Sequence, residues 1–268
     1  MRQPKPSSVI LDLMSSAQGR NLSAKWLMRI GGYFGFAENT MRVALSRLCS
    51  RGHVESAGRG YYRMAHSTEA VNNFVGRWRL GEDRVAHWRH LGWHVVPAQT
   101  HTQEWVLKNL GFREVAARLF ARPDNLTINA DELASLAAQL GLEPEVVFLT
   151  AKVIRPQDVE NWVACWDTDA LNHSYQMSLR CLKESAIRLS SLSLEAALVE
   201  TFNLGGEIVH LLAKDPLLPR SMVQVSARRA LWEEMLNYER IGKKFWAQAQ
   251  DESPVTHVMP TAGLATGG

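Results

Sequence analysis

Apolar residues recur at helical spacing three times in the first fifty positions. Val9, Ile10, Leu13, Met14 and Ala17 follow the punctuation at Pro4 and Pro6, with Ser7 or Ser8 placed to cap the helix and Gly19 to end it. Trp26, Leu27 and Ile30 mark a second helix from Leu22 to Tyr33, stopped by Gly31, Gly32 and Gly35. A third runs from Ala37 or Glu38 to Arg51 with Met41, Ala44, Leu45 and Leu48 on one stripe. Two short β-prone arms then flank Ala57-Gly58-Arg59-Gly60, where the glycines allow a tight hairpin. Helix, helix, helix, hairpin is the order of a winged helix-turn-helix, predicted here over residues 1–66. Residues 67–90, helical and polar from Ser67 to Arg79, read as a connector.

The period changes in residues 91–154. Trp93 to Gln99 reads as a strand, Thr102 to Leu110 as a helix closed by Gly111-Phe112, and Asp131 to Leu140 as a helix begun near Asn129. Val146 to Ile154 has the apolar run of a buried strand. Glu114 to Phe120 is taken as a further strand, although Val115 to Phe120 fits a helix equally well. The order suggests a small ferredoxin-like domain. From Pro156 the pattern is helical, over 158–165, 168–190, 194–212 and 222–249, which predicts a helical effector and dimerisation domain at 155–250. Residues 251–268, rich in Pro and Gly, read as a disordered tail. The expected class is α+β, mainly α: an amino-terminal winged helix-turn-helix, a central ferredoxin-like domain and a carboxy-terminal helical domain.

Charge sharpens that division. The net charge of +3 conceals ten Lys and Arg against Asp12, Glu38 and Glu55 in residues 1–66, a balance of +7. The remainder carries 20 basic against 24 acidic residues, −4. One basic end on a mildly acidic body is the layout of a protein that meets phosphate at that end. Cys49, Cys165 and Cys181 are odd in number and lack Cys-x-x-Cys spacing, which argues against a disulfide framework and a structural zinc. No membrane span and no apolar signal core are evident, so a cytoplasmic location is expected.

A step of about 100° per residue turns Asn39, Thr40, Arg42, Val43, Ser46 and Arg47 away from the apolar stripe of the third helix. Short side chains admit a helix to the major groove, Arg pairs with guanine, and Asn pairs with adenine. Arg42 and Arg47 flank this face on opposite shoulders, so at least one is expected on phosphate. Arg59 at the hairpin apex is placed to reach the minor groove or a flanking phosphate. The competing reading of the helix is an ordinary solvated face, and of Arg59 an exposed turn residue.

The run Gly35-Phe36 followed by Arg42-Val-Ala-Leu-Ser-Arg47-Leu48, with the wing Gly58-Arg59-Gly60-Tyr61-Tyr62, resembles the PaaX family of transcriptional repressors. A second similarity lies at Lys214-Asp-Pro-Leu-Leu-Pro219, and a weaker one at Trp93 and Gly111-Phe112. The resemblance implies a homodimeric repressor of aromatic catabolism, without catalytic activity or cofactor, bound to an inverted-repeat operator in double-stranded DNA. It also implies release by an aryl-coenzyme A thioester such as phenylacetyl-coenzyme A. Val43 stands where the family commonly has Thr, and His210 lies where relatives tend to carry arginine. Candidate effector contacts are Trp166 and Tyr175 for a ring, and Arg180, His210 and Lys214 for an anionic end. Helix termination explains Asp215-Pro216 equally well, and core packing the aromatics.

Three other classes compete, one of them a protein-interaction adaptor that uses a winged helix without DNA contact and would bind its partner independently of salt. A metal-dependent nuclease on the ferredoxin-like domain would need a carboxylate at the end of the first strand, where Trp93 to Gln99 offers none, leaving Asp124 alone. A metal sensor would draw on His87, His90 and His94, which share a helix face only if Gly92 does not break that helix, and a repressor responding to a different small molecule is a further alternative.

Overall fold

A computed structural model describes residues 4–17, 20–89, 92–153 and 155–249; the expected tail at 251–268 and Gly19 lie outside the described residues. The protein is α+β and mainly helical, with two small antiparallel sheets. It divides into two compact units by packing rather than by chain order. The first takes its described residues from 1–76, 178–211 and 233–268, the second from 77–177 and 212–232, so the stretch 155–250 is shared between them.

In the first unit, α1 (Pro6–Ser16), β1 (Leu22–Ser23), α2 (Ala24–Tyr33), α3 (Glu38–Ser50), β2 (Val54–Ser56) and β3 (Tyr61–Met64) follow one another. The cap of α1 is Lys5 rather than Ser7 or Ser8: Pro6 occupies the first turn, where its missing N–H costs nothing, and Ser8 Oγ accepts the Lys5 N–H at 3.0 Å. The second helix begins at Ala24, not Leu22. Ser23 caps it, its Oγ accepting the Trp26 N–H at 3.1 Å, while Leu22–Ser23 pairs antiparallel with Tyr61–Tyr62 and completes a sheet ordered β1-β3-β2. Two residues are too short to display a strand's period. The connector is broken into a 3₁₀ turn at His66–Thr68, α4 (Glu69–Gly76) and 3₁₀ turns over Arg77–Arg84.

This unit is completed by parts of three long helices, α8 (Thr168–Arg188), α9 (Leu194–Ala213) and α10 (Val225–Gln248). They anchor α2. Phe34 meets Phe202 edge to face at 4.9 Å, the Trp26 indole N–H donates to the Ala249 carbonyl at 3.2 Å, and Arg29 donates to the same oxygen at 2.5 Å.

The second unit is built on β4 (Gly92–Pro97), α5 (His101–Asn109), β5 (Arg113–Ala116), β6 (Leu119–Pro123), α6 (Ala130–Gln139), β7 (Leu149–Lys152) and α7 (Pro156–Val163). Its sheet is antiparallel throughout, ordered β5-β6-β4-β7, with Val95 opposite both Ala121 and Leu149. Reciprocal capping boxes start both helices of the sheet: Thr100 with Gln103, and Asn129 with Glu132. Two expectations change here. The single strand Glu114 to Phe120 is a hairpin, turned at Ala117-Arg118 with Arg118 at φ 58°. The run Val146 to Ile154 is not a buried strand: β7 is a sheet edge, and Val147 and Leu149 are 54% and 49% exposed. Trp93 centres the core, edge-on to Trp88 and Trp162 at 5.2 Å and stacked on Trp166 at 6.0 Å.

Candidate nucleic-acid interface

Residues 34–37 carry the chain from α2 into α3. Close approach of the two helices requires the glycine at 31, because a Cβ there would sit 2.5 Å from Met41 Cγ. Met41, Leu45 and Leu48 are buried inward, and Ala44 is half-buried. Asn39, Thr40, Arg42, Val43, Ser46 and Arg47 are all exposed, in agreement with their angular placement. Asn39, Val43 and Ser46 run along the middle of that face, with Arg42 and Arg47 on its shoulders. At about 1.5 Å per residue the face from Asn39 to Ser50 is roughly 16 Å long, enough to lie in a major groove about 12 Å wide.

The hairpin follows α3 directly, the His53 N–H donating to the Leu48 carbonyl at 3.0 Å. Its tip closes through Tyr61 N–H to the Gly58 carbonyl at 3.1 Å, with Gly58 at φ 122° and Gly60 at φ 80°, and Arg59 is exposed between them.

The basic residues of this unit divide by partner. Arg42 bonds Glu38 one turn back, at 2.9 Å through Nε and 2.5 Å through Nη2, and Arg63 pairs with Glu55 across β2 and β3 at 2.5 Å. Arg47 and Arg59 have no side-chain ion pair among the described residues. The i, i+4 spacing of Glu38 and Arg42 carries the signal for the first pairing, which a reading of Arg42 as a bare cation misses.

The five effector candidates do not share an environment. Trp166 lies in the core of the second unit, donating its indole N–H to the Gly111 carbonyl at 3.2 Å. Tyr175 is fully buried in the same unit, where burial and then Asp215 push its hydroxyl pKa upward. Lys214 is half-buried, and burial lowers its pKa. Arg180 and His210 belong to the first unit; Arg180 is exposed and lies 3.9 Å from Glu184.

Asp124 follows β6, bonded to Arg89 and with Oδ1 3.2 Å from His94 Nε2. His87, His90 and His94 do not share a helix face: residues 86–88 are irregular, His94 is in β4, and His90 lies outside the described residues. Among the described residues no group of three or more His, Cys, Asp and Glu is arranged to hold a metal ion, and no helix is long and apolar enough to cross a membrane.

Comparison with known proteins gives two findings. The fold resembles the uncharacterized protein Rv0674 from Mycobacterium tuberculosis, with a TM-score of 0.59 and 21% identity over 91% of this chain and 97% of that one. No curated protein sequence matches. The family model of PaaX-like proteins matches residues 5–68, the stretch that holds α1 to α3 and both arms of the hairpin. Over those residues the chain is similar to the PaaX-like proteins, which supports a PaaX-type protein.

Proposed function

We propose that this chain is a DNA-binding transcriptional repressor that reads its operator with the outer face of α3 and the hairpin tip. The observation that carries this reading is an exposed helix face of short polar residues, flanked by arginines, with Arg47 and Arg59 unpaired by any carboxylate among the described residues. The order α1-β1-α2-α3-β2-β3 with a three-stranded sheet supports a winged helix-turn-helix, α3 being its recognition helix. In that arrangement Asn39, Val43 and Ser46 face base edges, Thr40, Arg42 and Arg47 line the flanks, and Arg59 reaches the adjacent backbone or minor groove. The βαββαβ order of the second unit, with its 2-3-1-4 sheet, supports a ferredoxin-like assignment.

One short recognition helix reads too few base pairs to find a genomic site, which favours a two-fold dimer on an inverted repeat. The PaaX-like match over residues 5–68 supports control of aromatic-compound catabolism by a regulator rather than an enzyme, and we extend that reading to a cytoplasmic protein with an aryl-coenzyme A thioester as its inducer. Such an inducer acts only through a coupling free energy between its site and the operator, typically about 1 to 3 kcal/mol. Fluorescence anisotropy with a labelled duplex from the region upstream of the regulated genes tests the reading. The full chain should bind with an affinity that falls steeply with salt, and phenylacetyl-coenzyme A should lower that affinity. Binding no tighter than to a scrambled duplex would remove the repressor reading. Substitution of Trp166, Tyr175, Arg180, His210 or Lys214 then asks which of the five carries the inducer's effect.

A further inference from the structure

We propose that a cleft within the second unit binds a small organic anion, a carboxylate or phosphate carried on an aryl body. None of the five effector candidates lines it. The proposal does not rest on the DNA reading, since it concerns binding to the protein alone.

The cleft encloses about 630 Å³, within the range of roughly 300 to 1,000 Å³ typical of small-molecule sites. Its walls come from two distant stretches, residues 82–88 and residues 219–229. Val85, Trp88 and Pro219 supply apolar lining. The Trp88 indole N–H is committed to the Gly92 carbonyl at 2.7 Å, so that side chain offers the cleft ring surface rather than a donor. Edge-on packing against Trp93 at 5.2 Å fixes the ring's orientation. A flat apolar group is the natural complement to such a wall.

The charged lining is unbalanced. Arg228 is buried and bound to Glu82 by two bonds of 2.7 and 2.9 Å and to the Leu218 carbonyl at 2.9 Å, so this pair is neutral and structural. Arg220 and Arg229 also line the cleft, both exposed and without an ion pair among the described residues. Three arginines against one glutamate leave a charge of +2 on one concave surface. Two like charges held on the same cleft repel each other, and a bound carboxylate or phosphate converts that repulsion into two charge-assisted hydrogen bonds. Ser226 lies in the first turn of α10, a 24-residue helix, whose positive dipole end adds to the same field. An apolar lining together with two guanidinium groups that have no ion pair among the described residues selects an amphipathic anion over both a bare ion and a neutral aromatic.

Calorimetry on the full chain without DNA tests this with benzoate, phenyl phosphate, inorganic phosphate and the neutral isostere benzamide. Saturable binding is expected for benzoate or phenyl phosphate, and the preferred arm identifies carboxylate or phosphate as the head group. The Arg220→Gln/Arg229→Gln variant should bind that anion at least about tenfold more weakly, a loss near 1.4 kcal/mol. Both side chains are exposed, so its melting curve should match the wild type. As a second readout on the unmodified protein, hydrogen exchange should show ligand protection in residues 85–88 and 219–229. No saturable binding of either aryl anion, equal binding of benzamide or of inorganic phosphate, unchanged affinity in the variant, or protection confined to other segments would each overturn the proposal.

Discussion

The exposed surface of α3 and the hairpin in the first unit and the core of the second use arginine in opposite ways. In the first, Arg47 and Arg59 are exposed on a helix face and a hairpin tip, with no carboxylate paired to them among the described residues. In the second, Arg84, Arg122 and Arg228 are buried, and each is held by carbonyl or carboxylate oxygens. Arg84 donates to Gly81 and Leu212, Arg122 to Leu110 and Pro216, and Arg228 to Leu218 and Glu82. Burial pulls the Arg122 guanidinium down to about 9, still charged at neutral pH. A charge sum over the sequence therefore says little about which arginines meet a ligand. An arginine whose donors are already satisfied is part of the fold, whereas one facing only water has its donors free for phosphate.

That contrast can be broken by four changes. The largest effect is expected from Arg228→Ala, which strands the Glu82 carboxylate and the Leu218 carbonyl; removing one partner of a buried pair costs about 3 to 5 kcal/mol, and the partial exposure of Glu82 places this case near 3. Chemical denaturation reads it, and an unchanged midpoint would show that the buried arginines are not structural. Arg47→Ala should do the reverse, leaving the denaturation midpoint unmoved while weakening operator binding and lowering its salt slope by about 1, the mark of one lost phosphate contact. A destabilised Arg47→Ala protein would place that side chain in the core instead.

The third change is in pH. Burial first, then Arg122 and Arg89, holds the His94 pKa below its usual 6.5 against the pull of Asp124. The unfolded chain then takes up a proton that the folded chain refuses, so stability is full above about pH 6.5 and falls as pH drops toward the folded pKa. One such proton gives a slope of at most about 1.4 kcal/mol per pH unit. Denaturation midpoints across that window should fall with acid, and His94→Asn should flatten the fall; an identical slope in the variant would assign it to other groups. The smallest effect is expected from Glu38→Gln, which frees Arg42 from an exposed pair worth about 0.3 to 0.5 kcal/mol and removes a negative charge beside the phosphate backbone. Operator affinity should rise slightly, and a loss would mean that Glu38 itself contacts DNA.

Legibility along the sequence follows the range of the interactions. The stripe Met41, Leu45 and Leu48 and the helix start at Asn129 act within one or two helical turns, and the structure places them where the pattern does. The hairpin of β5 and β6 escaped because its turn at Ala117-Arg118 has neither Gly nor Pro, a non-glycine residue adopting positive φ instead. Apolar content misplaced Val146 to Ile154, since an edge strand paired only to β4 leaves Leu149 open while its composition still reads as core. The cleft had no local signature at all, because its walls are separated by about 130 residues of chain. Tyr175 and Trp166 were legible as aromatic but not as buried, and burial decides whether a ring fills a core or lines a site.

The central claim is that α3 and the hairpin tip carry phosphate-dependent DNA contact. The most direct measurement is the salt dependence of operator binding for the wild type and for Arg47→Ala/Arg59→Ala, followed by anisotropy with folding checked by circular dichroism. The wild-type plot of log affinity against log salt should be linear and steep. The double variant should bind more weakly with a slope shallower by roughly 1 to 2, one unit for each lost phosphate contact. A folded double variant with wild-type affinity and slope would contradict the account.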